Sequence, residues 1–176
     1  MKIKIKKIET KRCILIPFQK KFITNKYINW LNDPEIVKFS RQRFFKHNFS
    51  SCTKFIKKQK VEKNIFLAIL HKKPEILHIG NFLINYNEIE DIADLSIIIG
   101  EKEFWGLGIA TEIWLGTIKT LSLMKIRKLT SGTSKNNKGM KKVLEKTMKL
   151  EYIIPQNLRF DEKFVDSVHY AYYPKI

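Results

Sequence analysis

The stretch GEKEFWGLGIATE, residues 100–112, carries the residue types that could cradle a phosphate. Gly106 and Gly108 stand one residue apart, Ala110 follows at the same spacing, and a helical pattern begins there. The first turn of a helix has unpaired N–H groups and a partial positive charge, and both favour an anion. Glycine lets the backbone approach a phosphate closely and take positive φ. The stretch is not a Walker loop, because no Gly-Lys-Ser/Thr follows. As a dinucleotide fingerprint it fails at Thr111, which stands where the third glycine should be, and the domain does not begin with this unit. A tight loop that only lets strand and helix pack would use the same glycines, and both readings stay open on this stretch alone.

Other chemistry-bearing residues are scattered. Cys13 and Cys52 lie far apart without CxxC spacing, so neither a structural metal nor a disulfide framework is expected. The histidines, His47, His71, His78 and His169, form no ligand pattern. In WLNDPEIVKFSRQR (30–43), Arg41 and Arg43 stand in a chain with only five Arg among 34 basic residues. Arg binds phosphate and carboxylate through a bidentate fork. Trp30 offers a flat face for a sugar or base, or else a core side chain.

The elements that must position these residues follow from periodicity. CILIPF (13–18) reads as a strand. TNKYINWLNDPEIVKF (24–39) reads as a helix interrupted near Asn32, with Asp33 as N-cap and Pro34 in the first position of its second part. Residues 50–60 form a second helix with a basic face. Three strands follow at 64–70, 78–86 and 93–99, the last largely apolar as a central strand would be. Residues 109–124 place Ile109, Ile113, Trp114, Ile118 and Leu121 at helical spacing. Then come a strand at 126–133, a helix at 137–146, and strands at 148–155 and 163–173. The order β-α-α-β-β-β-α-β-α-β-β implies an α/β fold with a mixed sheet, in which strands without an intervening helix pair antiparallel.

At 176 residues, 44% of them hydrophobic, the chain reads as one domain spanning 1–176. No apolar run is long enough to span a membrane, the basic N-terminus lacks a cleavage site, and a cytoplasmic protein is expected. The net charge of +17 attracts polyanions, although Lys, Ile and Asn excess also follows from AT-rich coding. A nucleic-acid partner is not expected, because no binding motif appears.

Strand, WGLGIA, amphipathic helix, strand, and then NKGMKKVLEK together resemble the GNAT superfamily of N-acetyltransferases. Trp105, Gly106, Leu107, Gly108, Ile109 and Ala110 occupy the positions of its Arg/Gln-x-x-Gly-x-Gly/Ala signature. The Trp is similar to the branch containing ribosomal-protein alanine N-acetyltransferases and acetyltransferases of small amines. The segments at 27–43 and 164–171 resemble the same branch.

The resemblance implies a mixed, mostly antiparallel, splayed central sheet with flanking helices. It implies acetyl-CoA as acyl donor and direct attack by a primary amine in a ternary complex. The amides of Trp105, Gly106, Leu107, Gly108, Ile109, Ala110 and Thr111 would hold the pyrophosphate. Ile98, Ile99 and Gly100 would pair through their backbone with the pantetheine arm. Asn137 matches the family's Asn that bonds the arm, and it also suits a helix N-cap. The family's Tyr acid is replaced by Leu144. Asp94 is the candidate base, and Ser96 a weaker one that could position a water. Trp30, Asn32, Arg41, Arg43, Asn85 and Tyr86 are the candidate acceptor residues.

Thin base equipment suits an acceptor of low pKa. An α-amine at about 7.7–8.0 is roughly a tenth neutral at pH 7, whereas a lysine near 10.4 is neutral about once in a few thousand molecules. The expected partner is a small amine, an anionic nucleotide-linked amino sugar of polysaccharide biosynthesis. The alternatives are a protein N-terminus, or a non-catalytic acyl-CoA-binding domain.

Overall fold

A computed structural model describes residues 3–72 and 74–175. Met1, Lys2 and Ile176, at the ends of the expected 1–176 domain, lie outside the described residues, as does Lys73. The strands are β1 (Ile8–Glu9), β2 (Cys13–Pro17), β3 (Ile65–His71), β4 (Leu77–Asn87), β5 (Ile92–Ile99), β6 (Lys128–Ser134), β7 (Lys149–Phe160) and β8 (Lys163–Tyr172). The α-helices are α1 (Asn25–Asn32), α2 (Phe49–Val61), α3 (Ile109–Leu123) and α4 (Lys138–Thr147). All eight strands form one sheet in the order β1-β2-β3-β4-β5-β6-β8-β7. Every pairing is antiparallel except β5 with β6.

Alternation along the strands divides the side chains between two faces. On one face Leu67, Ile69, Phe82, Ile84, Leu95 and Leu129 pack with Ile113, Trp114 and Leu121 of α3 and Leu144 of α4. On the other, Ala68, Phe66 and Ile98 meet Tyr27, Trp30 and Leu31 of α1 and Cys52 of α2. Each of three helix starts has a side-chain cap: Thr24 accepts from the Tyr27 N–H, Asn48 from Ser51, and Asn137 from Met140. At the start of α3, Gly108 supplies none.

The expected second half of the first helix does not form. Asp33 Oδ1 accepts from the N–H groups of Glu35 and Ile36, as a cap would, but residues 34–39 are turns. A 3-10 turn at Arg41–Phe44 follows. The Asp33 carboxylate is also held by Lys102 at 2.9 Å, which ties this segment to the loop before α3.

The fold holds His78 half-buried among aromatic rings. His78 lies 5.0–6.1 Å from the rings of Phe18, Phe22, Tyr27 and Trp30. Its Nε2 is within hydrogen-bond range of the Gly80 carbonyl and Asn81 Oδ1. Burial lowers its pKa, against the smaller raising effect of those two bonds. As pH falls below the unfolded value near 6.5, the unfolded chain takes the proton first. Stability is therefore full above that value and declines below it, by at most about 1.4 kcal/mol per pH unit. Urea unfolding at pH 7.5 and 5.5 checks this; His78→Gln is expected to flatten the difference.

Candidate active site

β5 and β6 pair only at their starts, through Ile92 with Lys128, Ala93 with Leu129, and Asp94 with Thr130. Beyond Asp94 the two strands part. Ser131 spans the narrow end of the gap, its Oγ donating to the Leu95 carbonyl at 2.8 Å.

Register decides which backbone groups face this gap. In an antiparallel ladder, residues alternate between bonding the neighbour and pointing away from it. The Gly100 N–H bonds the Ile79 carbonyl of β4 at 2.8 Å, so Gly100, Ile98, Ser96 and Asp94 turn their backbone toward β4. Leu95, Ile97 and Ile99 turn theirs toward β6. Of the three strand-end residues expected to pair with an extended arm, Ile99 turns its backbone toward the gap. Ile98 and Gly100 do not, because β4 takes their backbone bonds. Ile97 joins Ile99 in facing the gap.

At the wide end, Gly106 and Gly108 both have left-handed backbone, φ +74° and +75°. A Cβ at Gly106 would meet nothing, and at Gly108 only Arg12 at 3.8 Å. These glycines are required by backbone conformation, with no shortage of space. Trp105 donates its indole N–H to the Ile99 carbonyl at 2.9 Å, fastening the loop to the end of β5. The loop's Leu107 and the helix-start residues Ile109, Ala110 and Thr111 follow directly, with Ile109 buried under α3.

Arg12, absent from the sequence reading, braces this loop from the opposite end of the chain. Its Nη1 donates to the Leu107 carbonyl at 2.9 Å, and its Nε pairs with Glu112 Oε2 at 2.7 Å. With Leu107's carbonyl held in this way, the first turn of α3 stays without a side-chain cap, an arrangement that favours an anion. No local spacing could reveal a brace that joins residues about a hundred positions apart.

Asn137 makes both expected kinds of use possible. Its Oδ1 caps α4 through the Met140 N–H, and its Nδ2 donates to Thr133 Oγ1 at 3.0 Å, with one further amide hydrogen left over. Leu144 is fully buried in the core, so the position carries no acid.

On the sheet face turned toward α1 and α2, Asn85, Asp94 and Thr130 lie side by side on β4, β5 and β6, with Ser96 two residues further along β5. Thr130 Oγ1 donates to Asp94 Oδ2 at 3.0 Å. Solvent reaches Asp94, but it sits in the notch where the strands part. The crowding pushes its carboxyl above the usual carboxylate range, and the Thr130 bond partly offsets this.

Four expected acceptor residues need correction. Trp30 is buried, its ring lies against Gly100, where any Cβ would collide with it, and its Nε1 donates to Glu101 at 2.8 Å. It is a core side chain and presents no stacking face. Tyr86 points to the opposite face from Asn85, as neighbours on a strand must. Its hydroxyl donates to Asp91 at 2.8 Å, and burial with that carboxylate pushes the phenol up to about 12. Asn32 clasps the backbone of His47 through both ends of its amide, fixing the loop between α1 and α2. Arg43 donates to the carbonyls of Ser40 and Arg159 and lies between the rings of Phe44 and Phe160. It therefore clamps this loop to the tip of the β7–β8 hairpin. Arg41 remains exposed.

Splayed strands, an uncapped helix behind a glycine loop and a carboxylate at the fork lie along the β5–β6 gap. Residues 12–147 match the acetyltransferase (GNAT) domain, and the chain belongs to that family. It is an acetyl-CoA-dependent N-acetyltransferase.

Solved structures share the fold at low identity. The microcin C7 self-immunity acetyltransferase MccE, in complex with acetyl-CoA and AMP, is 17% identical with TM-score 0.79, the match covering 93% of each chain. The ribosomal alpha-N-protein acetyltransferase RimL, in complex with coenzyme A, is 13% identical with TM-score 0.81, covering 95% of this chain and 97% of that one. A GNAT-family acetyltransferase from Bacillus anthracis is 16% identical with TM-score 0.78, covering 96% and 98%. No curated protein matches the chain.

Proposed function

We propose that the enzyme acetylates the primary amine of a nucleotide-linked amino sugar, by direct attack on acetyl-CoA held between β5 and β6. The observation that carries this reading is the polar acceptor face, where Asp94 stands at the fork among Asn85, Ser96 and Thr130. Such a face offers hydrogen bonds to a hydroxylated acceptor and one carboxylate to an amine. Arg41, exposed on the loop after α1, would supply a guanidinium for a phosphate.

In the proposed reaction the amides of Gly106 to Thr111 hold the pyrophosphate, and Ile97 and Ile99 pair with the pantetheine arm. Backbone N–H groups facing the gap stabilise the charge that develops on the thioester oxygen. Asp94 fixes the amine at the fork. The amine nitrogen bonds the acetyl carbon, the carbon–sulfur bond breaks, and the amine gives up a proton. With Leu144 in place of a phenol, the departing thiolate takes its proton from solvent.

An acceptor panel tests the reading. Thiol release from acetyl-CoA is measured with a uridine-diphosphate-linked amino sugar, a peptide beginning with Ser or Ala, and a lysine side-chain amine. The sugar is expected to exceed the others by at least about tenfold in kcat/KM, the scale of roughly 1.4 kcal/mol. Preference for the peptide would make the enzyme a protein N-terminal acetyltransferase, and preference for lysine would overturn the low-pKa argument.

A further inference from the structure

The positive charge is spread unevenly, and its densest part coincides with exposed aromatic rings. Residues 10–61 hold thirteen of the 34 Lys and Arg but only two of the 17 Asp and Glu. This segment is under a third of the chain, yet it supplies eleven of the seventeen net charges. Coding bias alone would spread the excess along the whole chain. The two acids, Asp33 and Glu35, both turn to Lys102, at 2.9 and 2.5 Å. The rest of the layer formed by α1, α2 and their connecting loop has no carboxylate of its own.

Three phenylalanines stand out from this layer. Phe44, Phe45 and Phe49 are 57%, 66% and 49% exposed. They fall within six residues, so their backbones lie at most about 18 Å apart. Cations accompany the rings. Arg43 Cζ lies 4.3 Å from the Phe44 centroid, and Lys20 Nζ lies 5.6 Å from that of Phe49. Lys46 is exposed between Phe45 and Phe49. On α2, Cys52 and Gln59 are buried and Phe55 meets Phe66 of β3 edge-on, so the helix turns Lys54 and Lys57 outward. The loop does not need the three rings for its own support. Asn32 clasps His47, Arg43 reaches the Arg159 carbonyl, and Phe39 packs on Phe160. Aromatic area left in water on a braced loop marks a surface that meets a partner.

The mixture of rings and lysines selects the partner. Protein interfaces are depleted of lysine at their apolar centres, and a second copy would set like charges against like. Rings interleaved with lysines suit the boundary of an anionic bilayer. There the rings enter the acyl edge while the ammonium groups stay with the headgroup phosphates. We propose that this face docks the enzyme on an anionic lipid bilayer. Phe44, Phe45 and Phe49 enter the headgroup–acyl boundary, and Lys20, Lys46 and Lys54 pair with lipid phosphates. Docking is peripheral and reversible, and it stands apart from the choice of acceptor.

Vesicle flotation of the whole protein reads docking without turnover. The vesicles are phosphatidylcholine alone, or phosphatidylcholine with about a third phosphatidylglycerol, in about 0.1 M salt, where the Debye length is about 10 Å. Partition into the anionic vesicles is expected to exceed that into the neutral ones by at least about tenfold. The double variant Phe45→Ser, Phe49→Ser is expected to lower it by at least about tenfold. The double variant Lys20→Glu, Lys46→Glu is expected to lower it by at least about 25-fold, at about fivefold for each cation lost near the surface. Lys119→Glu with Lys142→Glu makes the same charge change on α3 and α4, across the sheet, and is expected to stay within about threefold. Thermal melts check that each variant is folded. Equal losses in the two charge variants would reduce docking to bulk attraction and overturn the proposal. Anionic-vesicle binding that ignores the Phe changes, or binding to no vesicle, would overturn it too. Tighter binding to polyglutamate or to RNA than to vesicles, dependent on Phe45 and Phe49, would replace the bilayer by that partner and equally overturn it.

Discussion

Replacing Gly106 and Gly108 together by valine is expected to weaken coenzyme A binding by about 10²–10³-fold without unfolding the protein. Both glycines have φ near +75°. Left-handed backbone costs a side-chain-bearing residue about 1–2 kcal/mol, and two such residues about 2–4 kcal/mol. At 1.4 kcal/mol per tenfold, that is a loss of roughly 30- to 1,000-fold, with the upper part fitting β-branched valine. The variant escapes this strain by reshaping the loop, which removes the amides from the anion. Steric collision contributes little, because a Cβ at Gly106 meets nothing and at Gly108 only the flexible end of Arg12. The loop is exposed, so the core under α3 stays packed. Calorimetric titration with coenzyme A, beside a thermal melt, checks both halves. Unchanged affinity would mean that the loop does not seat the pyrophosphate.

Asp94→Asn is expected to lower kcat/KM by about 10²–10³-fold while coenzyme A affinity stays within about twofold. Removing one partner of a desolvated, hydrogen-bonded charge pair costs about 2–5 kcal/mol. Asp94 meets that description once an amine fills the notch beside Thr130. The pH dependence has a definite sign. Its carboxyl lies above the usual range because of desolvation, so it protonates at milder acidity than an exposed aspartate, and activity falls with it. The substituted amide cannot titrate, so the variant's acid limb is one proton shallower than the wild type's. Thr130→Val removes a bond that favours the charged form and is expected to move that limb to higher pH. Initial rates from pH 5 to 9 for the three proteins give the comparison.

The two sides of the site differed in how far sequence could reach. The donor side depends on short-range rules. A glycine pair between an apolar strand and an amphipathic helix has few uses, and Gly106 and Gly108 do take the left-handed backbone those rules require. The gap between β5 and β6 follows from one parallel pairing in an antiparallel sheet. Even there, parity mattered: Ile98 and Gly100 turn toward β4, and only the register says so.

The acceptor side depends on long-range contacts. Trp30, Asn32 and Arg43 are chemically versatile residues whose partners, Glu101, His47 and Arg159, lie 15 to 116 positions away. Their versatility is spent on the frame that holds the cleft open. Tyr86 could have been rejected from sequence, since strand alternation separates it from Asn85. Arg12 was hidden, because its partners Leu107 and Glu112 lie 95 and 100 positions away.

The central claim is that an amine receives the acetyl group directly, with the donor seated in the glycine loop and between β5 and β6. Rapid quenching of the enzyme mixed with radiolabelled acetyl-CoA, with and without an amine acceptor, tests it most directly. The account predicts thiol release only when amine is present, one labelled product per thiol, and no label on the protein at any time. Label on the protein before amine is added would contradict direct transfer. Tight coenzyme A binding with no thiol released for any amine would contradict catalysis itself.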